Sequence, residues 1–139
     1  MTSKSVRAIF DTNIWISFLI GKSLSKIKRY ISDGSITIIT TEQLLLEVTE
    51  VTGRAKLRKY FPKESVKDLI ELLEAIAEKV DIEPKHFTCK DPKDNFLLDL
   101  IDFSKADYLV TGDKDLLNLN PFKTAQILTP AEFEKQLTN

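Results

Sequence analysis

The sequence predicts a single α/β domain over residues 1–139, with a parallel sheet of about five strands and helices on both faces. Three observations predict it. Short apolar runs alternate with helical patterns along the chain, the order that builds a parallel sheet. Several of these runs are nearly continuous in hydrophobicity, as strands covered on both faces are. A length of 139 residues is one domain's worth, enough to bury a real core and too short for two.

The first strand is Val6-Arg7-Ala8-Ile9-Phe10, and it stops at an acid, Asp11. Ile14, Trp15, Ile16, Phe18, Leu19 and Ile20 then form an apolar helix. Open parallel sheets bind ligands beyond the carboxyl ends of their strands, so Asp11 is placed for chemistry. Asp11 or Thr12 equally suits a helix cap, and the stretch alone leaves both readings open. Leu24, Ile27 and Ile31 recur at helical spacing, and Gly34 is a natural stop. Lys22, Lys26, Lys28 and Arg29 accompany this segment, either as a solvated face or as a local contact for a polyanion.

Ile36-Thr37-Ile38-Ile39 is β-branched and strand-like. Thr40 and Gln43 are spaced as a capping box for the helix that follows, on which Leu44, Val48 and Val51 make one apolar stripe. Glu47 borders that stripe, whereas Glu42 and Glu50 point to solvent. A carboxylate against the core side is unfavourable unless it is paired or binds a cation. Arg54-Ala55-Lys56-Leu57-Arg58-Lys59-Tyr60-Phe61 is the most basic stretch, and Pro62 separates it from the next helix. We expect Arg54, Lys56 and Arg58, with Lys26 and Arg29, to make phosphate contacts. Val66, Leu69, Ile70, Leu73, Ile76 and Ala77 keep helical period and read as core packing.

Val80-Asp81-Ile82 reads as a short strand, followed by a loop through Pro84, His86 and Cys89. Asp91 is a candidate N-cap with Pro92 at the first helical position. Leu97, Leu100 and Ile101 form the next apolar face; Asp94 flanks it, and Asp99 and Asp102 fall on the opposite side. An acid at Asp94 also suits the helix dipole without any metal. Tyr108-Leu109-Val110-Thr111 is a further buried strand, and Asp113 follows it as Asp11 follows the first. Gln126-Ile127-Leu128 is the last strand, and Thr129 with Glu132 makes a capping box for a terminal helix.

A net charge of -1 and an isoelectric point near 5.9 exclude a generally basic nucleic-acid binder, so any such surface is local. The single cysteine, Cys89, excludes an internal disulfide and suits a reducing compartment. Cys89 and His86 supply only two soft ligands, too few for a structural zinc site, and both read as loop residues. The apolar run Ile14–Ile20 is far short of a membrane span, and the start of the chain lacks a signal-peptide pattern. We expect a cytoplasmic protein.

Four acids share one placement: Asp11 and Asp113 follow strand ends, and Glu47 and Asp94 lie beside the inward faces of helices near such ends. Right-handed crossovers bring these ends to one edge of the sheet. Four converging carboxylates repel one another, and hard oxygen ligands of this kind suit Mg²⁺ or Mn²⁺. Such a cation can position a water, lower its pKa and offset charge on a phosphodiester oxygen. Other chemistries fit less well. No Gly-rich phosphate loop is present, and a nucleophilic triad needs a base, for which His86 is the only histidine. A haloacid-dehalogenase-type phosphatase would need a second Asp where Asn13 stands.

On these motifs the sequence resembles the PIN-domain ribonucleases. The matching pieces are Ile9-Phe10-Asp11-Thr12-Asn13, Leu44-Leu45-Leu46-Glu47-Val48, Cys89-Lys90-Asp91-Pro92-Lys93-Asp94-Asn95, and Ala106–Leu117 with its Thr111-Gly112-Asp113-Lys114-Asp115 core. They fall in the family's order and span most of the chain. The resemblance is greatest to the bacterial branch of toxins in toxin–antitoxin pairs. It implies a metal-dependent endoribonuclease, often a homodimer, that is silenced by a small antitoxin. It also implies that Asp11, Glu47, Asp94 and Asp113 take the catalytic and metal-ligand positions, and that Thr12, Asn13 and Thr111 take supporting polar ones. The alternative is a catalytically silent module of the same fold that binds RNA or a protein partner. Uptake of Mn²⁺ separates the two, because a binding module need not take up the ion.

Overall fold

The computed structural model describes residues 5–20 and 25–138. Its centre is a five-stranded, all-parallel sheet: β1 (Val6–Phe10), β2 (Ile36–Thr40), β3 (Glu78–Lys79), β4 (Tyr108–Val110) and β5 (Gln126–Leu128), in the spatial order β3-β2-β1-β4-β5. The helices are α1 (Thr12–Ile20), α2 (Ser25–Ser32), α3 (Glu42–Thr52), α4 (Lys63–Ile76), α5 (Asn95–Ser104), α6 (Lys114–Leu117) and α7 (Pro130–Thr138). Parallel neighbours need crossover connections, and the helices supply them and cover both faces of the sheet. β1 is central, so Ala8, Ile9 and Phe10 are fully buried, which accounts for the unbroken apolar run. Phe10 meets Trp15 of α1 at 5.2 Å between ring centroids and Phe133 of α7 at 5.8 Å. Gly34, at φ 82°, makes the left-handed turn that ends α2 and starts β2.

Two local expectations are corrected. The third strand lies at Glu78–Lys79, directly after α4, and not at Val80-Asp81-Ile82. Ion pairs select that register: Arg7 of β1 grips Glu78 with two hydrogen bonds of 2.9 and 2.6 Å, and Lys79 pairs with Glu42. Val80 and Ile82 instead pack on the core from an extended segment. The expected capping box of Thr40 and Gln43 is not formed: Thr40 closes β2 and Thr41 is the N-cap, without a side-chain cap bond. The box at the last helix is formed, with the Thr129 N–H donating to Glu132 Oε1 at 3.0 Å and the Glu132 N–H to Thr129 Oγ1 at 3.2 Å.

α5 is buried on nearly all sides, including Asp99 and Asp102 opposite its apolar face. Residues 81–91 run over that side as a strap. Asp99 Oδ1 accepts the backbone N–H groups of Lys85 and His86 at 3.0 and 2.8 Å. Asp102 pairs with Lys85, Lys105 and His86 Nε2, and these partners hold its carboxyl far below the ordinary range. The His86 ring also sits edge-on to Phe122. Asp99→Ala leaves two backbone donors of the strap without their acceptor, so we expect a loss of roughly 2–3 kcal/mol in urea melts. Among the described residues, no helix is long and apolar enough to cross a membrane.

Candidate active site

β1 and β4 are adjacent, and the sheet extends from them in opposite directions, to β2 and β3 on one side and to β5 on the other. A switch of this kind opens a crevice beyond the carboxyl ends of the two strands. Phe10 pairs with Val110, so the next residues, Asp11 and Thr111, stand side by side at that crevice. The Asp11 N–H donates to the Val110 carbonyl at 3.1 Å.

Asp11 is buried, and both of its oxygens are engaged. Oδ1 accepts the Ile14 N–H at 3.0 Å, which caps α1, and Oδ2 accepts the Thr111 hydroxyl. Each oxygen keeps lone-pair capacity for a further partner, so capping and chemistry coexist at this residue. The Thr111 oxygen in turn accepts the Asp113 N–H at 3.1 Å. One hydroxyl thus ties together the acids that follow β1 and β4. Asp113 is the N-cap of α6, its Oδ1 accepting the Asp115 N–H at 2.8 Å. Asp115 lies exposed in the first turn of that helix.

Glu47 is half-buried on α3, at the edge of the face formed by Leu44, Leu45 and Val48. Asp94 closes the 3-10 turn Pro92–Asp94, just ahead of α5. There Asp91 makes the cap, accepting the Lys93 N–H at 3.0 Å, and the Asp94 carboxylate has no cap bond. Asp94 stands at the N-cap position of α5, so its charge also meets the helix dipole, as the sequence allowed.

The four acids act on one another. Burial pushes Asp11 above the ordinary carboxyl range, against its bonds from Thr111 and Ile14, and Asp113 and Glu47 push in the same direction as burial. Burial also raises Asp94, to about 6, with Asp113, Asp91, Glu47 and Asp11 adding repulsion. None of the four pairs with a Lys or Arg among the described residues. No group of three among the described Asp, Glu, His and Cys side chains forms a ready-made cage for an ion. The donor set nonetheless fits a hard cation that keeps several of its own waters, as Mg²⁺ does.

The other predicted residues are distributed as follows. Thr12 and Thr111 are buried beside Asp11, whereas Asn13 is exposed. Arg54 lines a groove of about 290 Å³ with Gln43, Leu46, Glu47, Glu50, Val51 and Lys93. Arg58 lines a separate, apolar pocket against Phe61, Val66 and Ile70, on a different face of α3. Lys56 and Arg29 are exposed, and the Lys26 side chain lies outside the described residues. The basic stretch is therefore divided, with Arg54 alone of Arg54, Lys56 and Arg58 in the groove beside Glu47.

Two neighbours had no role at the site in the sequence reading. Cys89 is half-buried, and burial together with Asp94, Asp113, Asp91 and Asp99 lifts its thiol to about 11. It stays protonated and is no nucleophile at neutral pH. Lys93, which precedes Asp94 in the chain, lines the groove; its place in Asp91-Pro92-Lys93-Asp94 was the available signal.

A family model described as PIN domain matches residues 7–115. The chain belongs to the PIN domain family, whose members are generally nucleases and typically use divalent metals. Among solved structures, it is similar to the crystal structure of PAE2754 from Pyrobaculum aerophilum. That likeness has 13% identity and a TM-score of 0.57, covering 96% of this chain and 91% of that one, and it concerns the fold. The chain has no match among curated proteins.

Proposed function

We propose that this protein is a Mg²⁺- or Mn²⁺-dependent endoribonuclease and the toxin of a toxin–antitoxin pair. In this reading it works in the cytoplasm, as a homodimer, and a small antitoxin protein silences it. The observation that carries the nuclease reading is the mutual repulsion among Asp11, Glu47, Asp94 and Asp113 beside the β1/β4 crevice, with no Lys or Arg paired to any of them among the described residues. The toxin role, the dimer and the antitoxin are supported by the motif resemblance set out above. When bound, the cation would supply a water of lowered pKa and offset charge on the scissile phosphate.

The chain's own contribution is orientation. Thr111 fixes Asp11 and Asp113 relative to each other, and the Ile14 N–H fixes the second oxygen of Asp11. Glu47 and Asp94 face them from α3 and from the turn before α5. All four would hold the cation. The site is mounted on strand ends, helix starts and the middle of α3, so its geometry is set by the core.

The test is cleavage of a mixed single-stranded RNA in Mg²⁺ or Mn²⁺ by the wild type and by Asp11→Asn. We expect wild-type cleavage that EDTA stops, and a loss of about a hundredfold or more in the variant. Cleavage that survives both EDTA and Asp11→Asn would overturn the reading.

A further inference from the structure

The groove beside Glu47 has two unlike banks. α3 and the residue after its C-terminal glycine supply Gln43, Leu46, Glu47, Glu50, Val51 and Arg54. Lys93, from the turn before α5, supplies the other bank. Glu47 and Glu50 lie in the same groove, yet neither Arg54 nor Lys93 forms an ion pair among the described residues. Two exposed cations left unpaired beside carboxylates are available to an anion from outside. On the same groove Leu46 is 59% exposed, the only large apolar side chain of α3 so exposed among the described residues.

We propose that Lys93 and Arg54 form a two-cation clamp for a phosphate flanking the scissile one, in an unpaired RNA strand whose base rests on Leu46. The proposal builds on the endoribonuclease reading and adds the path of the strand. The acid cluster at the β1/β4 crevice would hold the cation that offsets charge on the scissile phosphate. Lys93 adjoins Asp94, and Arg54 follows the C-terminal end of α3, beyond Glu47, so the clamp holds the strand to one side of the reacting bond. Phosphate contacts position a strand, and apolar contact with a base face requires that base to be unpaired. The clamp residues are positioning residues. They act on how the strand is held, and the bond-breaking step belongs to the acids.

The test has two arms. In the first, fluorescence anisotropy follows a labelled single-stranded RNA on the Asp11→Asn protein, at several salt concentrations. Lys93→Gln and Arg54→Gln are each expected to flatten the salt dependence, by about 0.7 in the log–log slope, while Lys63→Gln on α4 leaves it unchanged. In the second arm, Lys93→Gln on the active enzyme is expected to raise KM roughly fivefold and keep kcat within about twofold. A defined substrate with an uncharged linkage beside the scissile bond should raise KM for the wild type and not for Lys93→Gln. An unchanged slope in both variants, or no RNA binding at all, overturns the clamp. Equal binding of duplex RNA, with the same dependence on Lys93, overturns the unpaired strand. If the wild type binds RNA as described and cleaves none, the clamp stands and the nuclease reading fails, so the two failures are distinct.

Discussion

Asp113→Asn is expected to lower RNA cleavage by about a hundredfold or more while leaving the fold intact, and Asp115→Asn to leave most cleavage in place. The two acids are separated by one lysine in one loop, and their environments differ. Asp113 follows the Thr111-Gly112 end of β4 and is linked through the Thr111 hydroxyl to Asp11. Its charge raises the pKa of both Asp11 and Asp94. Asparagine keeps the oxygen that caps α6, so the cap survives and one repulsive charge is removed. The variant should be as stable as the wild type or slightly more so, and unable to hold the cation tightly. Asp115 is exposed and offers only a favourable charge to a short helix, worth at most roughly 1 kcal/mol. Cleavage assays and urea melts on both variants check this. A dead Asp115→Asn beside an active Asp113→Asn would place the wrong acid at the cation.

The second large effect is on stability, at Asp94. Its carboxyl is raised from 3.8 to about 6 in the metal-free fold, chiefly by burial and then by Asp113, Asp91, Glu47 and Asp11. A raised acid binds its proton more tightly folded than unfolded, so this group stabilises the fold below pH 4. That contribution is lost as the pH climbs from about 4 through about 6. Removing the charge with Asp94→Asn should therefore stabilise the metal-free protein at pH 7, by roughly 1 kcal/mol once solvent screening of a half-buried group is allowed for. At pH 4 the difference should vanish. Mn²⁺ should reverse the order at pH 7, because it rewards the wild-type carboxylate and not the amide. Urea melts in EDTA and in Mn²⁺, at both pH values, measure all four quantities. A less stable Asp94→Asn in EDTA at pH 7 would mean that the carboxylate is held by a cationic partner.

The parts that the sequence made legible are those with a strong local signature. Val6–Phe10 and Tyr108–Val110 could be read because central strands must be apolar on both faces. The Thr129–Glu132 box could be read because its spacing matches its hydrogen bonds. Asp11 and Asp113 followed from strand ends, and their proximity follows from β1 and β4 being neighbours. What stayed hidden depends on contacts distant in the chain. Glu78–Lys79 has no strand-like composition, and its register is set by Arg7 and Glu42. Asp99 and Asp102 oppose the apolar face of their helix, yet the strap of residues 81–91 buries them. Thr40 had a cap's spacing to Gln43, but β2 runs one residue further and takes it into the sheet. The division of Arg54 from Arg58 comes from the break after α3, where Arg54 is extended and Ala55–Leu57 turn as a 3-10 helix, which composition does not reveal.

The central claim is that Asp11, Glu47, Asp94 and Asp113 form one cation site, and a Mn²⁺ titration followed by calorimetry and thermal melting tests it most directly. An ion at about a hundred times its Kd should add roughly 2.7 kcal/mol to the wild-type fold. Asp11→Asn, Glu47→Gln, Asp94→Asn and Asp113→Asn should each weaken binding and shrink the gain, while Asp115→Asn keeps it. Undiminished Mn²⁺ binding and an equal rise in melting temperature in all four variants would contradict the account and place the metal elsewhere.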